Sequence, residues 1–308
     1  MHDMTSQANG VVDVAMGFDG RYAAHAATVI SSIVQAAPGA KFRFILLYAD
    51  VPESAKKKCE SVAPHCEFVW REVSDADLPP FADREHFSRA TLFRLGLESL
   101  APADCHRVLF LDSDIIVVDD LRKLWAVDIS PNPIGAVTDC YVDPVAFAEK
   151  WGLENDKPPK YFNAGILVID LDKVREEKLF SKAAAFVAKH DRDLPFNDQD
   201  ALNWSIWMRW TLLDVSWNVM RHMVIHSLEK EIPLEQRLRG RAPSIVHYTG
   251  PEKPWIKGAY HPWAWLYWKN VTRTPFLKEV EQAQGVGVKE RIRLWLRWLV
   301  FMPPAPTR

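Results

Sequence analysis

Two aspartates one residue apart, directly after an apolar run, are the first residues in this chain whose types and spacing could do chemistry. The run Val108-Leu109-Phe110-Leu111 is followed at once by Asp112-Ser113-Asp114. At strand spacing, residues i and i+2 face the same way, so both carboxylates can grip one hard divalent cation through oxygen. Side by side without a cation they are costly, because like charges push one carboxyl pKa up. Asp-x-Asp is a cheap pattern, and the chain holds five, at 75/77, 112/114, 170/172, 191/193 and 198/200. Asp75/Asp77 and Asp191/Asp193 read as solvated turn residues, and Asp170/Asp172 as capping acids before a long helix. Asp112/Asp114 differs in context, because open α/β sheets bind ligands beyond the carboxyl ends of their strands. Two surface acids at a strand end is the competing reading.

A second group lies far along the chain, in His247-Tyr248-Thr249-Gly250-Pro251-Glu252-Lys253-Pro254-Trp255, after the apolar Ile245-Val246. An imidazole, a flexible glycine and a lysine six residues after the histidine suit a loop closing on a metal-bound diphosphate. Histidine is a borderline ligand for manganese, and lysine brings a point charge to phosphate. An ordinary loop with a packed tryptophan is the alternative.

Short apolar runs alternating with helical patterns must position these groups, the βαβ rhythm of a largely parallel sheet. Strands are expected at Val11–Met16, Phe42–Tyr48, Val108–Leu111, Ile115–Val118, Ile134–Thr138 and Gly165–Ile169. Helices are expected at Tyr22–Ala37, Pro52–Ala63, Ser88–Leu100 with Ser88 as N-cap, and Lys173–His190 with Asp172 as N-cap. Residues 273–288 read as a linker and 289–302 as a last helix before Pro303-Pro304.

Length and composition bound the rest. At 308 residues the chain makes about two domains, or one large α/β domain with an appendage. With 48% hydrophobic and 25% charged residues, disorder as the main state is excluded. Thirty-eight basic against 40 acidic residues argue against a nucleic-acid binder working by bulk charge. Cys59, Cys66, Cys105 and Cys140 form no CxxC pair and no disulfide framework, so a reduced, cytoplasmic protein is expected. The start of the chain carries no signal-peptide pattern. Charge is uneven: residues 271–308 hold seven Lys/Arg against three Glu, a net of +4, which leaves −6 for residues 1–270.

Taken together, these segments resemble glycosyltransferase family 8, especially its bacterial lipopolysaccharide and lipooligosaccharide α-galactosyl- and α-glucosyltransferases. The matching pieces run in the family's order over roughly residues 11–268. They are GFDGRYA (17–23), SRATLFRL (88–95), LFLDSDIIV (109–117), YFNAGILVIDL (161–171), NDQDALN (197–203) and HYTGPEKPW (247–255). The resemblance implies a Rossmann-like GT-A fold, α/β with a mixed, mainly parallel sheet, and a C-terminal helical extension. It implies a catalytic domain over 1–270, and the charge and tryptophan distribution set off 271–308 as a basic, tryptophan-rich extension.

The same resemblance implies the site. Asp112, Asp114 and His247 would ligate Mn²⁺ or Mg²⁺ on the two phosphates of a UDP-sugar. Asp19 would hold the uracil and the Tyr22 ring would stack on it. Lys253 and Gly250 would contact the diphosphate, with Ser113 beside it. Arg94, Asn163, Asp198 and Gln199 would surround the donor sugar. Gln199 would lie nearest the anomeric carbon in a configuration-retaining, front-side attack, with Asp198 as its catalytic neighbour. Arg21 departs from the family pattern, where a smaller polar residue is expected before the tyrosine.

The implied partners are UDP-galactose or UDP-glucose and a glycan or glycolipid acceptor, with no nucleic acid. From Lys289 to Met302, Lys289, Arg293 and Arg297 share one helix face beside Ile292, Leu294, Trp295, Trp298, Leu299, Phe301 and Met302. That pattern suits a helix lying on an anionic membrane, hence a peripheral protein at the inner face of the plasma membrane. A helix packed on the catalytic domain is the alternative. Two further readings stand beside the transferase: an aspartate-nucleophile phosphotransferase or phosphatase built on Asp112, and a non-catalytic nucleotide-sugar-binding protein.

Overall fold

The computed structural model describes residues 10–79, 89–154, 156–225 and 240–301. Val11–Asp19 (β1) is apolar on both faces, as a central strand covered by helices must be. It pairs in parallel with Lys41–Ala49 (β2) over its whole length. Glu67–Glu72 (β3) adds to β2 at the edge, where its charged ends hide it from a search for apolar runs. Arg107–Leu111 (β4) lies parallel on the other side of β1. Ile115–Val117 (β5) belongs to a second, small sheet, while Ile134–Thr138 (β6), Phe162–Asp170 (β7) and Trp210–Leu212 (β8) complete the first. The seven-stranded order is β3-β2-β1-β4-β7-β6-β8. Only β7 runs against its neighbours, β4 and β6. This is the mixed, mainly parallel sheet that was expected.

Strand alternation divides the core in two. Val14, Met16 and Phe18 face a layer that includes Ala23–Ala36 (α1), next to Glu53–Val62 (α2). Ala15, Val108 and Phe110 face the other layer. Short helices Leu97–Leu100 (α3), Leu121–Trp125 (α4) and Pro144–Trp151 (α5) follow in the chain. The expected helix over 173–190 is two, Leu171–Glu177 (α6) and Leu179–His190 (α7), broken where Lys178 takes φ 53°. Its cap is Asp170, whose side chain accepts from the Lys173 amide; Asp172 instead meets His106. Asp198–Ser205 (α8) lies against α7. Ser88 lies outside the described residues, and Arg89–Gly96 winds as a 3₁₀ helix, which eight residues of apolar spacing cannot distinguish from an α-helix.

Val219–Met220 (β9) and Ile245–His247 (β10) join β5 in the small sheet, in the order β5-β10-β9. A third, aromatic core covers it, with Tyr248, Trp255, Trp263, Tyr267 and Trp268 buried together. Ala264–Val271 (α9) supplies Tyr267 and Trp268 and adds Ala264, Leu266 and Val271 to the same core. Residues 273–288 are not a linker: Leu277–Gln284 (α10) forms there, and Phe276, Val280 and Val286 are buried in the same core. One apolar residue per turn was enough to seat it, and its charged remainder disguised it. The last helix, Val288–Phe301 (α11), buries Leu294 and sets Trp298 against Trp265 at 4.8 Å, while Arg297 lies over Tyr260. Its other side leaves Ile292, Trp295, Leu296, Leu299 and Val300 exposed. Among the described residues, no helix is long and apolar enough to cross a membrane.

Candidate functional site

The site forms where β1 and β4 end, and the antiparallel β7 begins beside them. The Asp112 amide donates to the Gly165 carbonyl (2.8 Å), fixing the end of β4 against the start of β7. The Tyr248 amide donates to the Asp114 carbonyl (3.0 Å), and His247 pairs with Ile115 across β5 and β10. Residues 135 positions apart in sequence thereby meet: ligand atoms of Asp112, Asp114 and His247 all lie within 4.8 Å of one another. His247 Nε2 is 3.3 Å from Asp114 and 3.7 Å from Asp112. Gly165 permits this approach, because a Cβ there would stand 2.3 Å from His247 Cε1 and 2.8 Å from Asp112 Oδ2.

Charge is concentrated here. Lys253 Nζ donates to Asp114 Oδ2 (2.5 Å) and to the Tyr248 carbonyl (2.7 Å). Burial pushes the Asp114 carboxyl up, but Lys253 and His247 more than offset it and hold it well below the usual carboxylate range. Asp112 goes the other way: burial raises it, Arg94 offsets only part, and Asp114 adds repulsion. Burial likewise works against the Lys253 ammonium, yet Asp114 beside it keeps that charge favourable. Two carboxylates and one imidazole, converging on a space that a Cβ at Gly165 would invade, fit a hard divalent ion such as Mn²⁺ or Mg²⁺.

The buried Arg94 links this cluster to the second acid pair. Nη2 donates to Asp112 (3.0 Å), Nη1 to the Ala164 carbonyl, and Nε to the Thr91 carbonyl (3.3 Å), with the guanidinium over the Phe110 ring. Asp198 Oδ2 is 2.6 Å from Arg94 Nε, an ion contact rather than a directed hydrogen bond. Burial pushes the Asp198 carboxyl up to about 7 against the pull of Arg94. Asn197 before it takes φ 43°, a strained conformation for a side-chain-bearing residue, and aims Asp198 and Gln199 inward from α8. Gln199 accepts from the Ala164 amide (3.0 Å) and donates to Asp139 (3.2 Å). Asn163 donates to the same Asp139 oxygen (2.9 Å).

The remaining expected residues line the same edge. Ser113 donates to the Gly17 carbonyl (3.3 Å), tying the acidic turn to β1. Gly250 takes φ 81°, a left-handed conformation that favours glycine, in the loop carrying Lys253. Asp19 caps the turn after β1 by accepting from the Arg21 amide (2.9 Å), and the Arg21 guanidinium also pairs with it (2.7 Å). The unexpected arginine thus holds the carboxylate expected to meet a base. Tyr22 meets His25 and Trp255 edge-on, at 5.2 and 6.0 Å between ring centroids.

Sequence reasoning missed Asp139 and Asn218. Asp139 follows β6 as Asp112 follows β4, so an acid at a strand end was the available signal. Asn218 bridges His247 Nδ1 (3.0 Å) and Asn163 Oδ1 (2.9 Å), and nothing in its local sequence marks it.

Comparison with known proteins gives this geometry a family. The model of glycosyl transferase family 8 matches residues 13–259. General stress protein A of Bacillus subtilis is 30% identical over 199 residues, covering 62% of this chain and 68% of that protein. A lipopolysaccharide 1,2-glucosyltransferase of Escherichia coli is 28% identical over 179 residues, 57% of this chain and 52% of that one. The chain therefore spans between about half and two thirds of the length of these two relatives. A crystal structure of the galactosyltransferase LgtC with donor and acceptor sugar analogs superposes with a TM-score of 0.75 at 26% identity, over 89% of this chain and all of that one. The GT-A architecture, the ordered motifs and a family match across most of the chain agree: the protein belongs to glycosyl transferase family 8 and is a glycosyltransferase.

Proposed function

We propose that the protein moves a hexose, galactose or glucose, from a UDP-sugar to a glycan or lipopolysaccharide-core acceptor, with retention of configuration and dependence on a divalent metal. The observation that carries this reading is the convergence of Asp112, Asp114 and His247, with Lys253 2.5 Å from Asp114. These three side chains would hold Mn²⁺ or Mg²⁺ on the diphosphate, and the bound ion would supply Lewis-acid stabilisation of the departing UDP. Lys253 adds a fixed positive charge on the same side. Tyr22 offers its ring to the uracil, with Asp19 at the base edge.

Arg94, Asn163 and Asp198 surround the donor hexose. Gln199, its amide oxygen held by the Ala164 N–H, stabilises positive charge developing at the anomeric carbon. The bond from that carbon to the UDP oxygen breaks, the acceptor oxygen bonds to the same face, and the acceptor's proton passes to the departing phosphate. The lipopolysaccharide glucosyltransferase and the galactosyltransferase among its relatives support a hexose donor. A phosphotransferase reading of Asp112 leaves His247, Lys253 and Gln199 without a role; a lost metal ligand would mark a non-catalytic binder, and all three candidate ligands are present.

We place the protein at the cytoplasmic membrane surface. Ile292, Trp295, Leu296, Leu299 and Val300 form an exposed apolar face on α11, flanked by the exposed Lys289 and Arg293. Trp295→Glu with Leu299→Glu tests this without uncovering the buried Trp263: sedimentation with anionic vesicles should be lost, and unchanged sedimentation would contradict it.

A panel of UDP-sugars with Mn²⁺ and a lipooligosaccharide acceptor, read as free UDP, tests the activity. Release from UDP-galactose or UDP-glucose that rises with acceptor is the expected result. Release from neither, with UDP still bound, would favour the non-catalytic binder.

A further inference from the structure

The hydrogen-bond directions around Asn218 can be fixed from a donor that admits no ambiguity. The Gly165 backbone N–H donates to Asn163 Oδ1 at 3.0 Å, so that atom is the amide oxygen. The group of Asn218 that meets the same oxygen at 2.9 Å must therefore be its NH₂. Its other end, 3.0 Å from His247 Nδ1, must then be Oδ1, and His247 Nδ1 must carry the proton it receives. This leaves Nε2 as the ring nitrogen facing Asp112 and Asp114. Asn163 passes the chain on through its own NH₂ to Asp139, which also accepts from Gln199. Asn218 is wholly buried, so water cannot stand in for either bond.

Resting on the metal-binding reading above, we infer that Asn218 is the positioning residue that makes His247 a metal ligand through Nε2, and that it joins the metal end of the site to the donor-sugar end. An imidazole free to flip, or protonated on the other nitrogen, would offer the cation an N–H. A partner on Nδ1 removes that state before the ion arrives. Outer partners of this kind are worth about 10–100-fold in metal affinity or activity.

The two ends separate by substitution. Asn218→Leu removes both bonds, whereas Asn218→Asp keeps an acceptor for His247 but loses the donor to Asn163. Free Mn²⁺ is counted by electron paramagnetic resonance during titration of the full chain with UDP present, alongside kcat. Asn218→Leu should weaken Mn²⁺ binding by about 10–100-fold, and Asn218→Asp should restore it while kcat stays at least about 10-fold down. Mn²⁺ affinity unchanged in a folded Asn218→Leu protein would overturn the assignment. Equal loss of affinity in both variants would also overturn it, by marking Asn218 as mere packing. If Asn218→Leu does not fold, Asn218→Asp decides alone: wild-type Mn²⁺ binding with reduced kcat supports the inference, and lost binding refutes it. Wild-type protein that binds no Mn²⁺ would instead refute the metal reading itself.

Discussion

His247 and His25 are both buried, and both lie close to Asp114 and Lys253, yet they serve opposite ends. His247 turns one nitrogen to two carboxylates and the other to Asn218. His25 lies flat against Trp255 at 3.7 Å, with Nδ1 2.7 Å from the Tyr267 hydroxyl, and burial holds its pKa down at about 3. The first belongs to a cleft where charges face one another at close range. The second belongs to an aromatic layer that excludes charge and carries the cleft on its back. The Tyr248 hydroxyl donates to the Trp263 carbonyl and Trp268 Nε1 to that of Pro254, so the loop bearing His247 and Lys253 is bolted to that layer. Residue type does not decide function here; what surrounds the ring does.

The contrast is sharpest for variants that should pull activity and stability apart. Asp112→Asn removes a metal ligand and also a carboxylate that the apo cleft disfavours. Turnover should fall by about 10³-fold, the scale of a Lewis-acid contribution, while the metal-free Tm stays level or rises. A clear drop in Tm by scanning calorimetry would show the acid pair to be structural. Trp268→Ala should do the reverse, costing about 3–5 kcal/mol of stability in denaturant titrations while the ligand set remains in place. A variant as stable as wild type would break the distinction between the two regions.

Tyr22 stands on their boundary, edge-on to His25 and Trp255. Tyr22→Ala should weaken UDP binding by about 1–3 kcal/mol in calorimetric titration with Mn²⁺, the worth of one base–aromatic stack. Unchanged affinity would move the base elsewhere. The last effect concerns pH. Burial lowers His25 and His261 to about 3 and His222 to about 4, so the unfolded chain, titrating near its ordinary 6.5, binds more protons than the folded one between those values. Stability is therefore full above about pH 6.5 and is lost as pH falls towards 4, by up to about 1.4 kcal/mol per pH unit for each histidine. His222→Gln should flatten the dependence of Tm on pH in that window. A slope equal to wild type would mean that His222 is charged in the fold.

The two regions were unequally legible in sequence. The strand before Asp112 and the glycine–lysine loop after His247 are local patterns, and they survived. Arg94, Asn163 and Gln199 carried no local signal and emerged only because their segments matched a family in order. Asp139 and Asn218 stayed hidden because their role is a hydrogen bond to a residue tens of positions away. In the C-terminal part the difficulty was different. One helix, α11, carries two apolar sides, of which Leu294 and Trp298 pack and Trp295 and Leu299 do not, and spacing alone cannot say which is which. The α10 segment read as a linker because its few buried residues sit among lysines and glutamates.

The central claim is that Asp112, Asp114 and His247 hold a divalent ion that in turn holds the diphosphate. Calorimetric titration of UDP into the wild-type chain, with Mn²⁺ and then with excess EDTA, tests it most directly. Binding that needs Mn²⁺, and that Asp114→Ala abolishes even with Mn²⁺ present, is the predicted result. UDP bound with the same affinity in EDTA, or by Asp114→Ala, would contradict the account.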